Sequence, residues 1–268
     1  MNKLSIIDTH AHLNMDFDKD QAEAISRAAD AGVTNIITVG TDLESSRKAV
    51  ELSERYAGVY AAVGIHPHDV SAITMADMDS LGQIAMHPRV VAIGETGLDF
   101  YRDTSPKDKQ IIALLWQLDL AVELALPVII HCRQAAAEMV ALLRSRLLAP
   151  SSTRQQYRGV IHCFNGDINT AQEYLDMGFY ISLGGYIGYP KSKGLHEVIR
   201  SIPKDRLLVE TDCPFLPPQD YRGKRNEPAY ITLTVKALAE IMSESYEDIA
   251  TATTQNAGRL FGLPLDNN

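Results

Sequence analysis

Short apolar runs punctuate the chain at nearly regular intervals: Ser5 to Asp8, Asn35 to Val39, Val59 to Gly64, Val90 to Glu95, Pro127 to His131, Gly159 to His162, Phe179 to Leu183 and Leu207 to Asp212. Their length is that of buried strands. Between them the apolar positions fall at helical spacing. Helices are predicted over Asp16 to Ala31 with Gly32 as the stop, Ser45 to Tyr56 with Gly58, Lys107 to Leu126 headed by Pro106, and Asn169 to Met177 with Gly178. Pro228 opens another helix toward Met242, and Ser245 with Asp248 three positions on predicts the N-cap of a last helix ending near Leu260. The stretch Leu147 to Arg158 reads as a loop between the fifth helix and the sixth strand. Successive runs start on average about 29 residues apart, close to the ~30 of one strand-helix-strand unit. Eight such units predict an α/β chain folded as one (β/α)8 TIM barrel, a single domain over residues 1–268, since no composition break divides it.

Composition narrows the function classes. Twenty-five basic against 34 acidic residues leave a formal net charge of −9, which argues against a broad grip on a nucleic-acid backbone and leaves room only for local basic patches. No apolar stretch approaches the ~18 residues of a membrane span. The run Leu4 to Ile7 is too short for a secretory signal, so a cytoplasmic location is expected. Three cysteines, Cys132, Cys163 and Cys213, lack C-x-x-C spacing, which predicts neither a disulfide partner nor a cysteine zinc site. Each adjoins a candidate metal ligand and is expected to face the helices, because neighbours in a strand point to opposite sides.

The chemistry stands at the ends of the runs, in D-T-H-A-H, A-I-G-E, V-I-I-H, G-V-I-H and V-E-T-D. His10 and His12 are two apart and share a face, with Asp8 in phase behind them. Singly, each residue has a plain structural role: a buried hydrogen-bonded histidine, a helix cap at Asp212, a salt bridge at Glu95. Together, His10, His12, Glu95, His131, His162 and Asp212 meet at the mouth of a barrel, where active sites are built from several strands. Such a polar cluster calls for a cation. Imidazoles with carboxylates suit Zn, Mn, Fe or Ni better than Mg. Six ligands suit one or two divalent ions, two sharing a bridging carboxylate, and the chemistry is hydrolysis.

The motifs "DTHAHL", "GIHPHD", "GETGLDF", "PVIIHCR", "GVIHCFNG", "RLLVETDCPFLPP" and "YRGKRNEP" run in order from Asp8 to Pro228, within a match that extends from about Ile6 to Phe261. With them the chain resembles the TatD family of metal-dependent hydrolases, among the amidohydrolase-like barrels. The resemblance implies a deoxyribonuclease that removes nucleotides from DNA ends, 3′ to 5′, by a metal-activated water. It implies that His10, His12, Glu95 and Asp212 hold one ion, that Glu95, His131 and His162 hold the second, and that Asp212 orients or deprotonates the metal-bound water. His66 would contact the substrate phosphate, and His68 and His87 are left as surface residues. Arg133, Lys224, Arg225 and Asn226 offer donors for phosphate oxygens, and Phe164 and Tyr221 offer rings to stack a terminal base.

The partner expected is DNA, single-stranded or at its 3′ ends, acted on by a monomer. Two departures from the family pattern bear on substrate: Gln134 replaces a common acidic residue, and Gly184 to Tyr189 carries bulkier aromatics. The alternative is a metal-dependent hydrolase of an amide, lactone or aminoacyl ester, since the same ligand set serves carbonyl chemistry. A remote alternative is a non-catalytic metal-binding partner protein.

Overall fold

The computed structural model describes residues 4–15, 20–102, 104–147 and 158–265. Eight parallel strands follow chain order: β1 (Ile6–Ala11), β2 (Val33–Val39), β3 (Val59–Val63), β4 (Val90–Asp99), β5 (Val128–Arg133), β6 (Gly159–Ile161), β7 (Tyr180–Leu183) and β8 (Leu207–Val209). A parallel bridge between Ala11 and Cys213 ties the last strand's exit to the first, and the sheet curls into a nearly closed barrel. Outside it lie α1 (Gln21–Asp30), α2 (Leu43–Arg55), α3 (Met75–Ala85), α4 (Lys107–Glu123), α5 (Ala136–Leu147), α6 (Ile168–Asp176), α7 (Leu195–Ser201), α8 (Ile231–Met242) and α9 (Tyr246–Phe261). This is the (β/α)8 barrel that the spacing of apolar runs predicts. Among the described residues no helix is long and apolar enough to cross a membrane. The loop expected over Leu147 to Arg158 falls mostly on 148–157, outside the described residues.

Helix starts follow local chemistry. Asp42 and Thr74 close capping boxes on Ser45 and Asp77, and Asp167 and Ser245 accept from Thr170 N and Asp248 N. The barrel interior is a separate apolar layer of Ile7, Ile37, Ile129, Val160 and Leu208, closed below by Leu260 and Phe261 of α9. Thr254 and Asn256 of α9 pin that closure by bonding Ser5 O (2.8 Å) and Leu207 O (2.9 Å) at the strands' N-terminal ends. The apolar floor and the polar mouth are thus opposite ends of one barrel.

Two strands depart from the predicted pattern where the polar residues begin. β1 runs on to Ala11, and a register slip between Asp8 and Ala11 breaks its alternation. Asp8 is therefore not in phase with His10: its carboxylate turns to Thr211, accepting from the hydroxyl (2.6 Å) and the backbone N–H (3.0 Å). β4 runs four residues past Glu95, pairing Gly97 with His131 and Asp99 with Arg133. Gly97 has φ 152°, and a Cβ there would lie 1.9 Å from the His131 carbonyl oxygen, so only glycine lets β5 come so close.

Candidate active site

Glu95 is buried at the centre of the mouth, and its two oxygens face two groups of nitrogen donors. Oε2 lies 3.4 Å from His10 Nε2 and 3.7 Å from His12 Nε2. Oε1 lies 2.8 Å from His131 Nδ1, 3.2 Å from His162 Nε2 and 3.5 Å from His66 Nε2. Asp212 Oδ1 joins the first group at 3.8 Å from His10 Nε2 and 3.5 Å from His12 Nε2, and those two nitrogens are 3.2 Å apart. The structure thus brings His10, His12, Glu95, His131, His162, Asp212 and His66 into one cluster. Donors bonded at ~2.0–2.1 Å to a tetrahedral cation stand ~3.3 Å from one another. The separations of the first group, 3.2 to 3.8 Å, are the edges of such a polyhedron and too long for most to be good hydrogen bonds.

The far nitrogen of each ring indicates which nitrogen offers a lone pair. His12 Nδ1 is 2.9 Å from Val39 O, His162 Nδ1 is 3.1 Å from Glu210 Oε1, and His131 Nε2 is 3.2 Å from Asp99 Oδ2. In its neutral form each of these rings donates to that acceptor and offers the cluster its other nitrogen. His66 is the reverse. Its Nδ1 accepts the His68 backbone N–H at 3.1 Å, so its neutral ring carries the proton on Nε2 and meets the cluster as a donor. His10 Nδ1 and Glu210 Oε2 are buried without a hydrogen-bond partner among the described residues.

Burial and charge act against each other here. Burial disfavours the Glu95 carboxylate, yet the surrounding imidazoles outweigh it and hold Glu95 well below the ordinary range. Burial likewise opposes charge on Asp212, but the His12 hydrogen bond and nearby His162 keep it ionised. Burial disfavours protonation of His162, and the carboxylates of Glu210 and Glu95 overcome this and raise it well above 6.5. Burial lowers His66, which favours its neutral donor form. In Asp8 burial prevails over the Thr211 bonds and raises the carboxyl to about 7.

Three residues belong to the site that the apolar pattern does not reveal. Asp99 is fully buried and accepts four hydrogen bonds: from His131 Nε2, from His68 Nε2 (2.8 Å), and from the backbone N–H groups of Tyr101 (2.9 Å) and Arg102 (3.1 Å). His68 is therefore part of the mouth and not a detached surface residue, whereas His87 does lie at the surface against Glu54. Glu210 orients His162 and also accepts from Cys163 N at 2.7 Å. Both carboxylates have a readable signal in their spacing from a candidate ligand: Asp99 stands four residues after Glu95 and Glu210 two before Asp212.

The expected substrate contacts divide. Arg133 and Lys224 are exposed; the Arg133 guanidinium lies 3.9 Å over the Tyr101 ring, and Lys224 sits 5.6 Å from the Tyr221 ring centre. Asn226 is a correction. It is buried, and its amide donates to Thr211 O and Phe215 O, each at 2.7 Å, which holds the loop after β8 instead of meeting phosphate. Phe164 is also buried, edge-on to Tyr174, so it has no face for a base. Tyr221 is already stacked on Tyr230 at 3.9 Å, and Arg225 is engaged by Asp20. The aromatic stretch Gly185–Gly188 turns Tyr186 inward, where its hydroxyl donates to Phe164 O.

A (β/α)8 barrel whose mouth gathers imidazoles and carboxylates at these separations defines a metal-dependent hydrolase. The family model described as TatD related DNase matches residues 7–262. "Uncharacterized metal-dependent hydrolase YabD" of Bacillus subtilis (strain 168) is 43% identical, over 96% of this chain and 99% of its own. The "3'-5' ssDNA/RNA exonuclease TatD" of Klebsiella pneumoniae (strain 342) is 37% identical over 93% and 95%. Among solved structures, the TatD homologue YJJV from Escherichia coli K12 superposes with a TM-score of 0.90 at 33% identity, covering 97% of this chain and 98% of that one. The chain belongs to the TatD family of metal-dependent hydrolases.

Proposed function

We propose that the protein is a phosphodiesterase that shortens single-stranded DNA from its 3′ end, and that Glu95 would serve as a ligand to both of two divalent cations. His10, His12 and Asp212 complete one set of ligands and His131 and His162 the other. The carrying observation is the spacing of the first group, where His10 Nε2, His12 Nε2, Asp212 Oδ1 and Glu95 Oε2 stand 3.2 to 3.8 Å apart in the pairs measured. Divalent ions held there supply Lewis acidity toward water and a phosphoryl oxygen. Asp212 accepts a proton from the attacking water, whose oxygen bonds to phosphorus as the P–O3′ bond breaks in line. The released 3′ oxygen takes up a proton, leaving a shortened strand and a 5′-mononucleotide. His66 donates from Nε2 to a phosphate oxygen, and Arg133 and Lys224 meet the charge of the strand.

Phosphate chemistry is favoured over amide or ester chemistry by this donor set and by the exonuclease name borne by relatives 37–40% identical. A reducing, cytoplasmic setting fits the three free cysteines. The test is a panel of 3′-labelled oligonucleotides, duplexes, and neutral ester or amide substrates, with metal-loaded protein at rising salt. Single strands should be shortened from the end, with a log-log salt slope of ~0.7 for each phosphate held. Lys224→Ala should raise KM and flatten that slope. Turnover of neutral esters or amides with no strand shortened would replace the proposal with the carbonyl alternative.

A further inference from the structure

We propose that Phe215 is the stacking platform for the 3′-terminal base, a subsite on the opposite side of the mouth from Arg133; the proposal rests on the phosphodiesterase function above. Phe215 lies three residues past Asp212 and is 51% exposed, whereas Phe164 is buried and Tyr221 is already stacked. Its ring meets the His12 imidazole edge-on, with centroids 5.9 Å apart at 70°. One exposed apolar ring is therefore in contact with a residue of the proposed reaction centre.

The ring is held and does not sit on a loose loop. Phe215 N–H donates to Asp212 O at 2.9 Å, and Phe215 O accepts from the buried Asn226 amide at 2.7 Å. The same amide holds Thr211 O at 2.7 Å, and Leu216 then turns the chain away at φ 46°. A ring fixed in water loses little freedom when a flat partner covers it. Asn226, expected to touch phosphate, acts here as the brace beneath that ring.

The occupant follows from what stands around it. A flat, apolar-faced group joined to an anion would cover Phe215 while its phosphate reaches the His66 Nε2 donor. Across the mouth, at the end of β5, Arg133 lies flat on the exposed ring of Tyr101 and presents a cation to the following phosphate. A nucleotide at the end of a single strand has both parts. A base inside a duplex has both faces covered by its neighbours, so this subsite takes a terminal base and not an internal one.

The experiment compares metal-loaded wild type and Phe215→Ala on labelled single strands that end either in thymidine or in an abasic deoxyribose. Stacking one base is worth a factor of about 5 to 150, so wild type should show a KM lower by that factor on the thymidine end. In Phe215→Ala the ratio between the two ends should collapse toward about one through KM, with kcat for the thymidine end changed less than about threefold. Phe215→Trp should restore the ratio and Phe215→Leu only part of it; thermal melts of each variant report that the barrel is intact. An unchanged ratio in Phe215→Ala, or a loss confined to kcat, overturns the subsite while strand shortening by wild type keeps the phosphodiesterase assignment. Wild type that shortens neither strand overturns the assignment and the subsite with it.

Discussion

Asp99→Asn changes one atom of a buried carboxylate and should weaken one cation selectively. The asparagine oxygen must stay on the Tyr101 and Arg102 backbone N–H groups, 2.9 and 3.1 Å away, because an amide NH2 turned toward them would set donor against donor. Its NH2 then points at His131 Nε2 and His68 Nε2, where the carboxylate accepted from both. His68, with a quarter of its side chain exposed, can turn to water. His131 cannot, since its Nδ1 is 2.8 Å from Glu95 Oε1. To meet the new donor it must accept at Nε2 and carry its proton on Nδ1, the nitrogen proposed to hold the ion. Loss of such an orienting partner costs about 10- to 100-fold in metal affinity, or roughly 1.4 to 2.7 kcal/mol. Calorimetric titration of the metal-free protein with Zn2+ or Mn2+ should show one equivalent bound as in wild type, through His10, His12 and Asp212, and a second weakened by that factor. Two equivalents within about threefold of wild-type affinity would refute the role of Asp99.

Asp212→Asn should keep its backbone, since φ 54° is left-handed and asparagine tolerates that region, yet lose about 10² to 10⁴ in kcat because an amide cannot take the proton; steady-state kinetics within a few-fold of wild type would remove Asp212 from its role. Gly97→Ala forces a Cβ to within 1.9 Å of His131 O at φ 152°, so β4 and β5 must part beside a ligand. Urea unfolding should show a loss of about 3 kcal/mol together with weaker metal binding, and a stable, metal-competent variant would contradict the close approach. The Thr170 N–H holds Asp167 below its ordinary 3.8, so this cap contributes fully above that value and is lost as pH falls through the lower folded value. Thermal melts from pH 5 to about 2 should fall less steeply for Asp167→Asn, whose amide caps α6 without titrating; an equal slope would contradict the assignment.

What the sequence makes legible is the order of elements and the residue at the end of each apolar run. His10, Glu95, His131, His162 and Asp212 each stand at the end of a buried apolar run, and a barrel brings such ends to one mouth whatever the loops do. Local irregularity is not legible in the same way. The slip in β1 sends Asp8 to Thr211, and the four extra residues of β4, Thr96, Gly97, Leu98 and Asp99, carry a single apolar side chain, which hides their strand from a search for apolar runs. Pairings across the fold are also hidden. Asp99 meets His68 from 31 residues away and Glu210 meets His162 from 48, contacts that only the closed barrel creates. Asn226 and Phe164 fail as substrate contacts for a related reason: donor capacity and ring size are visible in a sequence, whereas burial on a particular loop is set by packing.

Metal content and strand shortening measured on the same samples of wild type and Glu95→Ala bear most directly on the bridging role of Glu95. Wild type should hold two divalent ions per chain by mass spectrometry, shorten 3′-labelled single-stranded DNA, and lose both properties to a chelator. Glu95→Ala should lose one ion and all shortening while its thermal melt shows the barrel intact. Two ions and wild-type shortening in Glu95→Ala would contradict the bridge, and shortening by metal-free wild type would contradict the metal-dependent mechanism.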